Sequence, residues 1–259
     1  MNSRHRPLDG FSVIGHRGAM GYAPENTLAA FAKAIELQAH MSELDIHQSR
    51  DGELIVIHDA KVDRTTNGSG AVSDLSLAEI KRLDAGTWFA PAYAGEQVPT
   101  LQEVMDFVKG KMALNVEVKA GYHGAYPGII DRLIEHISRN GLVDSLVVSS
   151  FNREYLLELR RKAPSVRAAL LYSRPFPEPW QDAVDQGWDL HPNAGAIDAE
   201  LMDEAHSRGV EVRAWTPNEP DTMRSLIALG VDAIITNYPD RLQEVLRESG
   251  LSRKDETQC

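Results

Sequence analysis

The sequence predicts an α/β fold, a (β/α)8 TIM barrel with a small subdomain inserted after the second barrel strand. The chain has 259 residues, a length that is common for a single α/β barrel. Short apolar runs alternate with longer stretches in which apolar residues recur at three- and four-residue spacing. Repeated β-α units of this kind indicate a parallel sheet, and about eight of them are enough to form a barrel.

Each barrel strand is assigned to one apolar run. In chain order the runs are FSVIGH, MSELDIH, ALNVEVK, SLVVSSF, VRAALLY, WDLHPN, VEVRAWT and DAIITN. The clearest helices lie between these runs, at residues 27–38, 128–139, 153–161, 198–208, 220–229 and 240–247. An open doubly wound sheet is the alternative, and it is disfavoured because no glycine-rich dinucleotide-binding loop follows the first run.

One long segment interrupts the alternation. Residues 61–99 are irregular and contain glycines, prolines and aromatic residues. Because connections of this length within a domain are usually functional or disordered, we expect a subdomain over the barrel mouth with one short helix at 77–83. The barrel domain then spans residues 10–248, and the polar segments 1–9 and 249–259 are expected to be flexible tails.

Composition excludes several classes of protein. Hydrophobic residues make up 42% and charged residues 25% of the chain, as in ordinary globular proteins. The formal net charge of −11 disfavours nucleic-acid binding. We find no secretory h-region and no apolar run of about 18 residues, so we expect no membrane insertion. The single cysteine, Cys259, indicates a reducing, cytoplasmic compartment. A monomer and a homodimer are both compatible with the sequence.

Polar side chains are concentrated where the first three barrel strands end, which is where active sites form in such barrels. Glu43 and Asp45 are two residues apart on one strand, so they share a face, and Glu117 follows on the third strand. Buried carboxylates need a compensating charge, and an all-oxygen ligand set selects a hard divalent cation, Mg²⁺ or Ca²⁺ with Mn²⁺ as a further alternative. An exposed acidic strand is the competing interpretation.

Two histidines are expected to meet at the same mouth. A turn at Asp51 and Gly52 predicts a hairpin whose return strand brings His58 towards His16. A pair of histidines is suited to general acid–base catalysis near neutral pH. His47 continues the alternation on the second strand, so a fourth metal ligand is one interpretation. Because a turn follows it, we instead expect a surface residue beyond the barrel mouth.

Two cations accompany these groups. The planar guanidinium of Arg17 matches a phosphate, and Lys119 shares a strand face with Glu117. Together they can bind an oxyanion despite the acidic composition. Balancing the charge of the carboxylates is the alternative role, and the two roles are compatible.

The motifs resemble one known family. In order from about residue 15 to residue 240 the chain contains GHRG, PENT, ELDIHQSRDGELIVIHD, RTTNGSG, GTWF, VPTLQEV, LNVEVK, AWTPN and IITNYPD. This set resembles the glycerophosphodiester phosphodiesterase family, of the bacterial cytoplasmic type. The resemblance implies a TIM barrel with a small insertion. It also implies hydrolysis of glycerophosphodiesters, such as glycerophosphocholine or glycerophosphoethanolamine, to sn-glycerol 3-phosphate and an alcohol.

The resemblance also implies roles for individual residues. These are catalytic roles for His16 and His58, metal-binding roles for Glu43, Asp45 and Glu117, and phosphate- or substrate-binding roles for Arg17, Lys119 and Trp215. We expect Glu25 and Asn26 to orient their loop, and Asn26 to cap the helix that begins near Thr27. Asn237 stands where many relatives have aspartate, at a position that we expect to be peripheral.

Several alternatives stay open at this point. Either histidine can be the base, and either water or the glycerol 2-hydroxyl can attack the phosphorus. A lysophospholipase D activity would need a long apolar site, which the sequence does not show. A barrel that binds a phosphodiester without turning it over is disfavoured by the intact histidines and carboxylates. A glycosidase is disfavoured because its two acids flank a bond, whereas Glu43 and Asp45 are on one strand face.

Overall fold

A computed structural model describes residues 11–250 of the chain. The predicted tails, 1–9 and 249–259, lie outside these residues except for positions 249 and 250. The strands are β1 Ser12–Gly15, β2 Met41–Gln48, β3 Leu54–Val56, β4 Ala113–Val118, β5 Leu146–Ser150, β6 Arg167–Tyr172, β7 Asp189–Pro192, β8 Arg213–Trp215 and β9 Ala233–Thr236. The α-helices are α1 Leu28–Glu36, α2 Leu77–Ile80, α3 Leu101–Val108, α4 Ile129–Asn140, α5 Arg153–Lys162, α6 Pro179–Gln186, α7 Ala199–Ser207, α8 Pro220–Leu229 and α9 Pro239–Glu248.

Eight of the strands form a parallel barrel. The hydrogen-bonded order is β7-β6-β5-β4-β2-β1-β9-β8, and β3 pairs antiparallel with β2 outside this path. The remaining seam, between β7 and β8, is bridged by the pairs Leu190 with Val212 and Asn193 with Trp215. The predicted (β/α)8 barrel is therefore confirmed, and each of the eight apolar runs overlaps one barrel strand.

Side-chain alternation along the strands separates two environments. On β2, Leu44 and Ile46 belong to the large apolar core, which also contains Phe31 of α1. Glu43 and Asp45 alternate with these residues and so face the barrel interior. All eight residues of β2 are buried, because helices cover the outer face and the barrel encloses the inner one.

The predicted hairpin follows β2. Gly52, at φ 87°, makes the turn, and β3 returns with Leu54 opposite Gln48. Beyond β3, the chain builds a second small cluster of buried apolar residues, which includes Ile57, Val72 and others. The short helix predicted at 77–83 is observed, but it is confined to α2.

Two helices were absent from the prediction, α3 and α6. The start of α3 carries a capping box: Thr100 Oγ1 accepts from the backbone N–H of Glu103, and the Glu103 carboxylate accepts from that of Thr100. The sequence TLQE contains this signal. A proline occupies the first turn of α6, where its missing N–H is harmless. Within residues 11–250, no helix combines the length and the hydrophobicity needed to cross a bilayer.

Charged residues fill the opposite, N-terminal end of the barrel. Arg167 bridges Asp189 and Glu211 at 2.7 and 2.8 Å, and Arg213 also pairs with Glu211 at 2.9 Å. Arg213 reaches across the interior to the sulfur of Met41, at 3.6 Å. These ion pairs close the barrel interior at the end opposite to the carboxyl ends of the strands.

Candidate active site

The predicted site residues converge on one pocket at the C-terminal ends of the strands. Seven of the eight line it directly, and these are His16, Arg17, Glu43, His58, Glu117, Lys119 and Trp215. The eighth, Asp45, is 1% exposed and lies among the carboxylates that form one side of the pocket. The parallel strands bring these positions together because all of their carboxyl ends meet at one mouth.

Three carboxylates form a tight buried cluster. Glu43, Asp45 and Glu117 each offer an oxygen within 4.8 Å of the other two. Burial, and then the charge of Asp45, raise the pKa of Glu117 to about 7. Burial and the same neighbour also raise the pKa of Glu43 well above its usual value. Like charges this close in a buried site favour protonation unless a cation is bound.

Two cations partly compensate this charge. Lys119 Nζ lies 2.7 Å from Glu117 Oε1 and 3.4 Å from Asp45 Oδ1. Arg17 Nε lies 3.4 Å from Asp45 Oδ2. Although burial opposes ionisation of Asp45, Lys119 and Arg17 together lower its pKa below the usual value. The cluster thus favours the ionised form of Asp45 and disfavours ionisation of Glu43 and Glu117.

The loop between β1 and α1 holds its polar residues in left-handed conformations. Arg17 has φ 50° and Asn26 has φ 58°, values that non-glycine residues adopt infrequently. The Asn26 amide donates to Asp45 Oδ2 at 2.8 Å, so it orients that carboxylate. The expectation that Asn26 caps α1 is wrong: Thr27 is the N-cap residue, and its hydroxyl accepts from the backbone N–H of Ala30.

His16 is held by a residue that the sequence analysis treated as peripheral. Its Nδ1 lies 2.7 Å from Asn237 Oδ1, so Asn237 contacts the candidate catalytic ring directly. The backbone of Asn237 is fixed in turn, because its N–H donates to Asn218 Oδ1 at 2.9 Å. Burial, and then the nearby Arg17, lower the pKa of His16 to about 4, which leaves the ring neutral at pH 7.

His58 is held by a series of charged groups, of which Asp59 and Arg64 were not predicted from the sequence to have a role in the site. His58 Nδ1 lies 2.7 Å from Asp59 Oδ1. Asp59 is bound by Arg64, which also binds Glu25. Glu25 is 5% exposed and accepts a further bond from Arg17. The sequence contained an indication of this role for Arg64, because Arg64 begins RTTNGSG, one of the motifs that carry the family resemblance.

His47 is buried, so its prediction as a surface residue is wrong. It is 1% exposed, and its Nε2 and Nδ1 lie 3.0 Å from the His58 carbonyl oxygen and 2.9 Å from the Tyr126 hydroxyl. The hairpin and the loop that follows β4 cover it on both sides. Burial lowers the pKa of His47 to about 4, so the ring is neutral and fits one donated and one accepted bond.

The other side of the pocket is apolar. Trp215 donates its indole N–H to the carbonyl oxygen of His191 at 2.8 Å, which fixes the ring. Phe151 packs edge-to-face against Trp215, with ring centroids 5.6 Å apart. The pocket therefore combines a half lined by carboxylates and cations with an aromatic half.

A charged pocket at the C-terminal mouth of a (β/α)8 barrel lies where the enzymes of this fold carry their active sites. Comparison with family models identifies the class of enzyme, since residues 16–241 match the glycerophosphoryl diester phosphodiesterase family. The chain belongs to this family. It is an enzyme of the glycerophosphodiester phosphodiesterase class.

Individual relatives agree with this assignment. The chain is 42% identical to a glycerophosphodiester phosphodiesterase of Caldanaerobacter subterraneus, over 92% of this chain and 98% of the relative. It is 34% identical to one of Bacillus subtilis, over 92% and 87% of the two chains. Among solved structures, it resembles an Oleispira antarctica phosphodiesterase in complex with the product sn-glycerol-3-phosphate. That match has a TM-score of 0.86 and 31% identity, and it covers 92% of this chain and 97% of the other.

Proposed function

We propose that the chain hydrolyses glycerophosphodiesters such as glycerophosphocholine and glycerophosphoethanolamine to sn-glycerol 3-phosphate and an alcohol. In this proposal the reaction depends on a divalent cation and on acid–base catalysis by His16 and His58. The observation that supports it best is the buried carboxylate cluster, whose oxygens lie within 4.8 Å of one another in the pocket that both histidines line.

The residues present fit a hard divalent cation. Glu43, Asp45 and Glu117 supply oxygen ligands, the donor set of Mg²⁺, Ca²⁺ or Mn²⁺. Among the described residues no hydrogen-bond donor reaches the buried Asp45 Oδ1, although Lys119 is near it. Such a cation, when bound, stabilises negative charge on the nonbridging phosphate oxygens. These three carboxylates would hold it.

Arg17 and Lys119 would hold the phosphate beside the carboxylates. Both line the pocket, and both are anchored by ion pairs to buried carboxylates, so their orientation is set before substrate arrives. Trp215 would pack against the glycerol or the head group. The fixed cations offset the repulsion that a net charge of −11 exerts on an anionic substrate.

The two histidines would move the protons. An amide oxygen accepts a hydrogen bond, so Asn237 Oδ1 selects the tautomer of His16 that carries its proton on Nδ1. Asp59 selects the same tautomer of His58. Each ring then exchanges a proton through Nε2. One histidine takes the proton of the attacking hydroxyl, from water or from the glycerol 2-position, and the other protonates the leaving alcohol.

We also propose the domain division and the location. Residues 10–248 would form one barrel domain, with 61–99 as a small insertion over the mouth. Two contacts support this: Tyr93 donates to the carbonyl oxygen of Tyr22 at 2.9 Å, and Arg64 binds Glu25. The single cysteine of the chain supports a cytoplasmic location.

The test measures release of glycerol 3-phosphate from glycerophosphocholine after treatment with EDTA and after return of Mg²⁺, Ca²⁺ or Mn²⁺. We expect no release with EDTA and recovery with at least one ion. Glu43→Gln should abolish the recovery, whereas the matched change Glu36→Gln, at an exposed helix position, should leave it intact. Release by protein shown to be free of metal would refute the metal dependence. No release from a panel of glycerophosphodiesters would refute the proposed substrates.

A further inference from the structure

One guanidinium joins two parts of the candidate site that are distant in sequence. Arg64 Nε and Nη2 donate to the two carboxylate oxygens of Asp59 at 2.7 and 3.0 Å. Arg64 Nη1 and Nη2 donate to the two oxygens of Glu25 at 2.8 and 2.7 Å. Four of the five N–H groups of the side chain are thus used in two bidentate contacts.

Each of the two carboxylates contacts a different functional side chain. Asp59 Oδ1 lies 2.7 Å from Nδ1 of His58, the proposed proton-transfer residue. Glu25 Oε1 accepts from Nη1 of Arg17 at 2.8 Å, the proposed phosphate ligand. An unbroken series of charged contacts therefore runs from His58 through Asp59, Arg64 and Glu25 to Arg17.

The geometry makes this connection depend on arginine in particular. Only a planar fork can place parallel N–H groups on two carboxylates at once, whereas lysine presents a single ammonium group. Glu25 is 3% exposed at its side chain, so an oxygen that lost its Arg64 partner would have little access to water. Asp59 is 33% exposed, and without Arg64 it would keep His58 as its nearest partner.

We propose that Arg64 is a positioning residue that orients both His58 and Arg17. It does so by fixing the Asp59 carboxylate against His58 and the Glu25 carboxylate against Arg17. The proposal rests on the proposed function, which gives His58 the proton transfer and Arg17 the phosphate. Arg64 contacts neither substrate nor metal in this role. The segment that follows β3 thereby aligns two groups that belong to different loops.

The experiment compares Arg64→Lys with changes at each end of the connection. Asp59→Asn should lower kcat for glycerophosphocholine and leave the Kd for glycerol 3-phosphate, measured by calorimetry, within about twofold. Glu25→Gln should mainly weaken that Kd. Arg64→Lys should do both, with kcat lower by about 10- to 100-fold, as is usual when a residue that orients an active-site group is lost. The double variant D59N/E25Q should show the same two changes as Arg64→Lys, a lower kcat and a weaker Kd for glycerol 3-phosphate.

Arg224→Lys is the matched control. Arg224 also bridges two carboxylates, Asp221 and Glu248, and its side chain is 45% exposed compared with 44% for Arg64. It should leave both parameters unchanged. The proposal is overturned if Arg64→Lys behaves like this control, or if D59N and E25Q each change kcat and Kd alike. Wild-type protein that hydrolyses no glycerophosphodiester would instead refute the proposed function, and this inference with it.

Discussion

Metal binding should weaken steeply as the pH falls, because the metal must displace a proton from the carboxylate cluster. The pKa of Glu117 is raised to about 7 by burial and by Asp45. At pH 8 about nine-tenths of this group is ionised, and at pH 6 about one-tenth. The Kd for Mg²⁺ or Mn²⁺ should therefore rise about tenfold between pH 8 and pH 6, or about 1.4 kcal/mol. The raised pKa of Glu43 should steepen this change.

Titration calorimetry at pH 6, 7 and 8 measures this dependence. Two buffers of different ionisation enthalpy at each pH report the protons released, which we expect to increase as the pH falls. The change Glu36→Gln, at an exposed carboxylate, should leave the dependence as it is in the wild type. A Kd that moves less than twofold between pH 8 and pH 6, with no proton release, would show that Glu117 is already ionised without metal. The reasoning from burial and like charge would then be wrong.

Three further predictions concern the histidines. His16→Ala and His58→Ala should each reduce kcat by about 10²- to 10⁴-fold while the melting temperature stays near the wild-type value, and near-normal turnover in either would contradict acid–base catalysis. Asn237→Ala should lower kcat about 10- to 100-fold with little change in KM, because the hydrogen bond that orients His16 is lost. A change in KM with kcat unaltered would argue against this orienting role. His47→Leu should lower the free energy of unfolding in urea by about 1–3 kcal/mol, because Tyr126 loses its acceptor inside the protein; a loss too small to resolve would be inconsistent with that bond.

Strand periodicity predicted the larger part of the site. On β2 the alternation of Glu43 and Asp45 with apolar neighbours indicated one inward polar face, and the structure places both in the barrel interior. The hairpin turn likewise predicted the return of the chain to His58. These features depend on residues that are close in sequence, so local patterns are sufficient to find them.

The contacts that were missed join distant parts of the chain. Asn237 meets His16 only because β9 pairs with β1, and the two residues are 221 positions apart. His47 is buried by the loop that contains Tyr126, which is 79 positions further along. Such contacts appear once the barrel is assembled, since no periodicity within one element specifies which loop will cover it.

The ion pairs at the N-terminal end of the barrel have a consequence for the order of events during turnover. Arg167, Asp189, Glu211 and Arg213 occupy that end, and Arg213 extends to Met41 on the far side. Substrate must therefore enter, and both products must leave, through the same opening. Under the proposed function, both products must clear this opening before the next diester can enter it.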